Sequence, residues 1–298
     1  MPTLRDIRRR IASVESTRQI TNTMRMVAAA KLRRAQERIL AARPYSDELD
    51  RLLSSLALRA KRDVHPLLAE RESVGKVGLV VVTADRGLCA GFNGNILRRA
   101  SLYLEEHRDK EVALFLVGRK GRDFFRRFAG TQRNRRGPLV VGEQVGLFDR
   151  LEYRHSREIV EQAIEWYTSG EVDRVDLIYN EFKSAVRQDV VVHPLLPIVP
   201  AEPKSDESMT DYLYEPSEEA VFDRLLPRHL AIQVWRMLLE SSAAEQGARM
   251  TAMESATENA DEMIEMLTLS YNKARQDTIT KELLDIAGGA EALQKVAG

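Results

Sequence analysis

The sequence predicts an α/β fold. A long antiparallel coiled coil, made by the N- and C-terminal helices, brackets a central α/β domain with a mostly parallel sheet. Three observations predict it. Each end of the chain carries a long stretch almost free of Gly and Pro, the two ends carry opposite charge, and the middle alternates strand and helix patterns.

Between Thr3 and Ala42 there is no Gly and no Pro. Thr3 followed by Asp6 reads as a capping-box start, and Leu4, Ile7, Ile11 and Val14 recur at spacings of three and four, the signature of a coiled-coil seam. The next seam positions are Arg18, Thr21, Arg25 and Ala28; the seam returns to apolar and small residues at Leu32, Ala35 and Ile39. A helix of about 40 residues is roughly 60 Å long, more than a small domain can cover. The N-terminal coiled-coil helix is placed at residues 1–62.

The middle, residues 74–200, is placed as a Rossmann-like α/β domain. Lys76 to Ala84 reads as a buried strand, Asn95 to His107 as a helix and Val112 to Val117 as a strand. Arg122 to Phe128 reads as helical and Pro138 to Val141 as a short strand. Arg157 to Thr168 is an amphipathic helix, followed by strands at Val175 to Phe182 and Val190 to Val199. Strand–helix alternation of this kind argues a mostly parallel sheet with helices packed on it. Residues 201–227, with prolines and acidic side chains, read as a loop.

The C-terminal coiled-coil helix is placed at residues 228–298, starting after Pro227. From Arg228 to Ala287 there is one glycine, Gly247. The seam begins apolar (Leu230, Val234, Met237, Leu238). It then turns small and polar (Ser241, Ala244, Glu245, Ala248, Ala252, Ser255, Asn259), and Gly288 with Gly289 reads as a stop. Paired terminal helices around one domain must run antiparallel, and a diluted seam suits positions that face other proteins as well as each other.

The net charge is zero, with 45 basic and 45 acidic residues. It is unevenly distributed. Residues 1–43 hold 11 basic and 3 acidic residues, whereas residues 201–298 hold 9 basic and 19 acidic. Helices of those signs attract lengthwise; two solvated faces, or a basic arm for nucleic acid, are the alternatives. No aromatic residue interleaves the arginines from Arg5 to Arg43, which weakens the nucleic-acid reading. The single Cys89 excludes an intrachain disulfide framework and fits a reducing compartment. The segment Met1 to Arg10 is basic and heptad-patterned, unlike a secretory signal. The longest apolar run, Val77 to Ala84, has eight residues, against the roughly 20 a membrane helix needs.

After the first strand comes Asp85-Arg86-Gly87-Leu88-Cys89-Ala90-Gly91-Phe92-Asn93-Gly94. Its spacing, G-x-x-x-G-x-x-G, is neither the dinucleotide fingerprint nor a P-loop. It reads as a tight turn lodging its glycines against a neighbour, and a Rossmann-like nucleotide-binding protein with coiled-coil extensions is the alternative. The five histidines (His65, His107, His155, His193, His229) lack metal-ligand spacing, Cys89 reads as a small turn or core residue, and no nucleophile elbow is present. No catalytic, cofactor-binding or metal-ligating residue is identified, and an interaction or structural role is favoured over an enzyme.

Several long motifs resemble the gamma subunit of F-type ATP synthase, bacterial type. Ile7 to Val14 with Ile20-Thr21-Asn22-Thr23-Met24-Arg25-Met26-Val27-Ala28-Ala29-Ala30-Lys31-Leu32 is similar to that family's first helix, and Asp85 to Asn93 to its central-domain turn. Ala248-Arg249-Met250-Thr251-Ala252-Met253, Tyr271-Asn272-Lys273-Ala274-Arg275-Gln276 and Ile279-Thr280-Lys281-Glu282 are similar to its last helix. The resemblance implies a non-catalytic central-stalk rotor that couples rotation of a membrane c-ring to ATP synthesis or hydrolysis at the beta subunits. The implied partners are alpha and beta subunits around a hexamer bore, an epsilon subunit and the c-ring. No nucleic acid is implied, and membrane contact is through the c-ring alone, at the cytoplasmic side of the cell membrane. Residue by residue, the resemblance puts Met24, Arg25, Arg249, Arg275 and Gln276 against alpha and beta, and Tyr212 and Glu215 against the c-ring. Photosynthetic members carry an inserted cysteine pair that forms a redox switch; one cysteine leaves no such pair within this chain. The absence of a transit peptide reads as a bacterial or processed chain.

Overall fold

The structure is a computed structural model, and it describes residues 3–57, 65–71, 73–131, 139–199, 215 and 217–297. Helix α1 spans Leu4–Ala57, strand β1 Lys76–Val82, helix α2 Phe92–Glu106 and strand β2 Glu111–Val117. Helix α3 spans Arg119–Thr131, strand β3 Leu139–Gln144, helix α4 Tyr153–Thr168, strand β4 Arg174–Phe182, strand β5 Gln188–Leu196 and helix α5 Glu218–Ala297. The strands form one sheet in the order β3-β2-β1-β4-β5. Strands β3, β2, β1 and β4 pair in parallel, and β5 adds antiparallel to β4, as the alternation predicts.

Two compact units divide the chain: residues 1–27 with 251–298, and residues 28–250. The second unit therefore includes much of both long helices as well as the sheet, a wider grouping than the 74–200 placement. The cause is visible in its core. Leu32, Ile39 and Leu53 of α1 and Phe222, Leu230 and Leu238 of α5 share one apolar cluster with Val80 and Val82 of β1 and Ile159 and Ala163 of α4. Strand residues of opposite parity (Val77, Leu79, Val81) point to the other face and pack with Ile96, Ala100 and Tyr103 of α2 and Phe125 of α3, the period-two alternation of a sheet buried on both sides.

α1 opens as predicted. Thr3 N–H donates to Asp6 Oδ2 at 3.1 Å and Asp6 N–H to Thr3 Oγ1 at 3.3 Å, a reciprocal cap. The Thr3 hydroxyl, donating to Asp6 Oδ2 at 2.6 Å, and then the Thr3 N–H hold the Asp6 carboxyl below its usual range. The α1 seam follows the predicted register, with Ile7, Thr21, Ala28, Leu32, Ala35 and Ile39 buried.

Three readings are corrected, two of boundaries and one of the seam. α5 begins at Glu218, ten residues ahead of Arg228, with Pro227 inside it, and α1 likewise runs through Pro44. A proline inside a helix costs about 3 kcal/mol, whereas burying each of Phe222, Leu226 and Leu230 around Pro227 returns about 1.5–3 kcal/mol; all three are fully buried. At the other end α5 continues past Gly288 and Gly289 to Ala297, because a helical glycine costs only about 1 kcal/mol and is no stop by itself. Finally, Ser255 and Asn259 are exposed. Among the residues of α5 beyond 250 whose side chains are described, the buried ones are Met253 and Ala260.

Candidate functional site

In the unit made by the chain ends, α1 and α5 run antiparallel, which their cross-contacts establish. Arg8 pairs with Tyr271, Arg18 with Asp261 and Thr21 with Thr257. The Arg8 guanidinium donates to the Tyr271 hydroxyl at 2.6 Å and lies over the ring, 5.5 Å from its centroid. Arg18 meets Asp261 at 2.9 Å. The opposite charges of the two ends are thus matched at Arg18, but both side chains are half exposed, so solvent screens the pair and it adds little stability.

What the pair leaves uncovered is more informative. On α5, Met263, Met266, Leu269, Ile279, Leu283, Leu284 and Ile286 are exposed, Leu269 at 71% and Ile286 at 69%. On α1, Ile20, Met26 and Val27 are exposed as well. So many exposed large apolar side chains on one helix pair are the composition of an interaction surface. Of the residues singled out from the sequence, Arg275 and Gln276 stand exposed on this stretch of α5. Met24 and Arg25 are half-buried, and Arg25 donates to Asn22 Oδ1 at 3.0 Å.

The second candidate lies in the other unit, where β1 ends. Its turn conformation does not come from the glycines. Leu88 (φ 61°) and Ala90 (φ 45°) take the left-handed region, which costs a side-chain-bearing residue about 1–3 kcal/mol. A Cβ on Gly87 would meet nothing closer than 3.8 Å, and one on Gly94 nothing within 4 Å; the reading of glycines lodged against a neighbour is corrected for both. Side chains enforce the turn instead. Asn93 Oδ1 accepts from Ala84 N–H at 2.9 Å. Asp85 Oδ1 accepts from the backbone N–H groups of Arg119 (3.0 Å) and Gly146 (2.8 Å). Arg249 of α5 donates to the Gly87 carbonyl at 3.2 Å. Held this way, Leu88 projects into solvent, 63% exposed.

Arg249 is 11% exposed at its side chain and also meets Glu245 at 2.7 Å. Its guanidinium is turned inward, onto the turn, rather than outward. Burial pushes the Glu245 carboxyl up, and Arg249 pulls it back in part. The second oxygens of Glu245 and Asp85 are buried without a hydrogen-bond partner among the described residues.

This segment of α5 also decides what the strand ends can hold. In an open parallel sheet, ligands bind in the crevice beyond the carboxyl ends of the strands where the order reverses, here between β1 and β4. Ala244 and Ala248 fill that place, packed with Cys89, Phe92 and Ile178. A Cβ on Gly247 would lie 3.2 Å from the Ala185 backbone. The crevice that the nucleotide-binding alternative requires is closed by the chain's own helix. Cys89 is a buried core residue, as read from the sequence, and burial raises its thiol pKa.

Glu215 is exposed, and Tyr212 lies outside the described residues. The parts that Asp85, Leu88, Ala90 and Glu245 play in the turn do not follow from the sequence reading. The one available signal was an acidic residue directly after a buried strand, the position from which a carboxylate can gather loop N–H groups.

The sequence profile of the family described as ATP synthase matches residues 3–293. The ATP synthase gamma chain of Chlorobaculum parvum is 49% identical over 300 residues, covering 99% of this chain and 100% of that one. This chain belongs to the ATP synthase gamma chain family. The gamma chain of an Anaeromyxobacter species (strain Fw109-5) is 52% identical over 299 residues, covering 99% and 100%. Among solved structures, the rotor of Euglena gracilis mitochondrial ATP synthase shares the fold with a TM-score of 0.65 at 21% identity, covering 93% of this chain and 98% of that one. The central stalk of Tetrahymena thermophila mitochondrial ATP synthase gives 0.59 at 25% identity, with 80% and 99% covered. As a gamma chain the protein is a central-stalk rotor subunit and not itself catalytic; catalysis resides on other subunits of the enzyme. The enzyme is membrane-associated, and no helix among the described residues is long and apolar enough to cross a membrane.

Proposed function

We propose that this gamma chain turns inside a hexamer of alternating alpha and beta subunits, with its paired terminal helices in the hexamer bore. Its central domain meets the c-ring beside an epsilon subunit. Rotation of the ring carries the chain round, and each beta subunit meets a different face of it in turn. A ligand or partner shifts a conformational equilibrium only through contacts that differ between states. Driving a two-state site from 1:99 to 99:1 takes about 5.5 kcal/mol of such difference, within reach of a few side chains per face.

The observation that carries this reading is the uncovered surface of the helix pair. Apolar side chains from Met263 to Ile286 are exposed, with Arg275 and Gln276 among them. In this reading Arg275 and Gln276 meet carboxylate or carbonyl groups of beta, for which a guanidinium fork and an amide are suited. Met24 and Arg25 face the same subunits. Arg249 acts indirectly, by fixing the turn that presents Leu88. Glu215 and Tyr212 meet the polar loops of the c-ring, through which the chain is held peripherally on the cytoplasmic side of the cell membrane.

Co-purification with alpha and beta tests the assembly. One copy of this chain per three alpha–beta pairs is expected, and equal stoichiometry ends the reading. Arg275→Ala with Gln276→Ala is expected to lower coupled ATPase turnover while leaving the isolated chain folded; unchanged turnover removes those two contacts from the mechanism.

A further inference from the structure

The residue 28–250 unit carries a groove of about 330 Å³ between α4 and α5. Its floor is apolar, made by Val160, Ile164 and Ala231. Arginines stand on both walls: Arg157 on α4, Arg224 and Arg228 on α5. Arg157 is neutralised by Glu161 at 3.1 Å. Arg224 and Arg228 have no carboxylate partner among the described residues, and Arg228 instead lies over the Tyr45 ring, 5.3 Å from its centroid. Tyr153 closes the end of the groove, its ring edge-on to Trp235 at 6.1 Å. Tyr45 and Tyr153 remain 46% and 37% exposed.

Tyr and Arg around an apolar floor, as Tyr153, Arg224 and Arg228 stand here, are among the residue types that dominate binding energy at protein interfaces. Two cations without a carboxylate partner among the described residues give the surface a sign. Arg224 and Arg228 are four residues apart, so their attachment points lie about 6 Å apart along one face of α5. Carboxylates one turn apart on a facing helix have that same spacing.

We propose that this groove is a docking site for an acidic amphipathic helix of a partner subunit. One apolar side chain of that helix seats on Val160, Ile164 and Ala231, and carboxylates one turn apart meet Arg224 and Arg228. The proposal rests on the chain working inside a multisubunit assembly, but not on which residues touch alpha, beta or the ring.

The test uses the assembled complex with Tyr153→p-benzoylphenylalanine, and Leu102→p-benzoylphenylalanine as a control on the exposed side of α2. Illumination is expected to join residue 153 to a peptide of another subunit that carries acidic residues at one-turn spacing. Adding Arg224→Glu and Arg228→Glu is expected to cut that product at least about tenfold, since like charge across an interface is strongly unfavourable. Arg224→Lys with Arg228→Lys is expected to retain most of it. In the unreversed complex the yield is expected to fall as salt rises from about 50 mM to about 500 mM, a readout that stands even where the charge-reversed chain does not assemble. A product with lipid or with a second copy of this chain overturns the proposal. So does a yield no higher than at residue 102, or one indifferent to both charge reversal and salt. Failure of the stoichiometric complex to form, seen before any illumination, instead overturns the rotor reading and this proposal with it.

Discussion

The hydroxyls of Thr21 on α1 and Thr257 on α5 meet at 2.8 Å. Each is also within reach of a carbonyl of its own helix, Thr21 of Arg18 at 3.0 Å and Thr257 of Met253 at 2.8 Å. Two hydroxyl protons thus serve three contacts, and only two can be made at once. Replacing one threonine leaves a polar atom against a methyl group, whereas replacing both leaves none. Thr21→Val or Thr257→Val alone is expected to cost about 0.5–1.5 kcal/mol, and the double variant to be at or above the parent. Urea unfolding followed by helix signal gives the comparison; additive losses in the double variant contradict it.

Gly118 has φ 90°, and a Cβ there would lie 2.0 Å from the Thr83 carbonyl oxygen. The same Thr83 receives the Gly121 N–H on its hydroxyl at 2.8 Å, so it cannot retreat. Gly118→Ala is therefore expected to destabilise the residue 28–250 unit by more than about 3 kcal/mol. Gly170→Ala, at φ 77° but with open space around it, is expected to cost about 1 kcal/mol. Equal losses from the two substitutions would show that steric contact at Gly118 is not the cause.

Removing Arg249 strands Glu245 in a buried site. Arg249→Met is expected to cost about 3–5 kcal/mol and to raise hydrogen exchange at residues 85–93. Arg249→Met with Glu245→Gln is expected to recover much of the stability but not the exchange protection, since the bond to the Gly87 carbonyl is still missing. Recovery of both would show that Arg249 does not hold the turn.

Burial, with His193 nearby, lowers the His229 imidazole to about 4 from its ordinary 6.5. Its Nδ1 lies 3.3 Å from Asp50 Oδ1, a contact made by a neutral ring. The folded state resists a proton that the unfolded chain accepts, so the neutral ring's contribution is complete above pH 6.5 and is lost as pH falls towards 4. Over that window the chain is expected to lose about 1–3 kcal/mol from this group, and His229→Gln to flatten the fall. Parallel pH profiles for parent and variant would rule His229 out as the source.

The sheet, its order of strands and helices, and the α1 seam were legible because burial leaves periodic marks: Val77 to Val82 as an unbroken apolar run, Ile7 to Ile39 at threes and fours. The ends of α5 were not legible. Pro227 and the Gly288–Gly289 pair are local signals, and what overrides the proline is burial of Phe222, Leu226 and Leu230 against residues distant in sequence. Ser255 and Asn259 were misassigned because a seam of small polar residues gives no phase. In the candidate site, Arg275 and Gln276 were found through long motifs, and they do stand exposed. The inward turn of Arg249 was hidden, since its partner carbonyl at Gly87 lies 162 positions away. The left-handed conformations at Leu88 and Ala90 were hidden for the same reason: the groups that enforce them, Asp85, Asn93 and Arg249, are gathered only by folding.

Gly247 brings the backbone of α5 against the backbone at Ala185, and on the same stretch Ala244 and Ala248 pack with Cys89, Phe92 and Ile178. Contacts made by main chain and single methyl groups have no long side chain to bend. A load applied along or around α5 at this level therefore reaches the sheet with little backlash, so the joint transmits torque as a machined key does in its slot. Adding bulk at any of these three positions would push the helix off its seat and loosen the joint even where the fold survives.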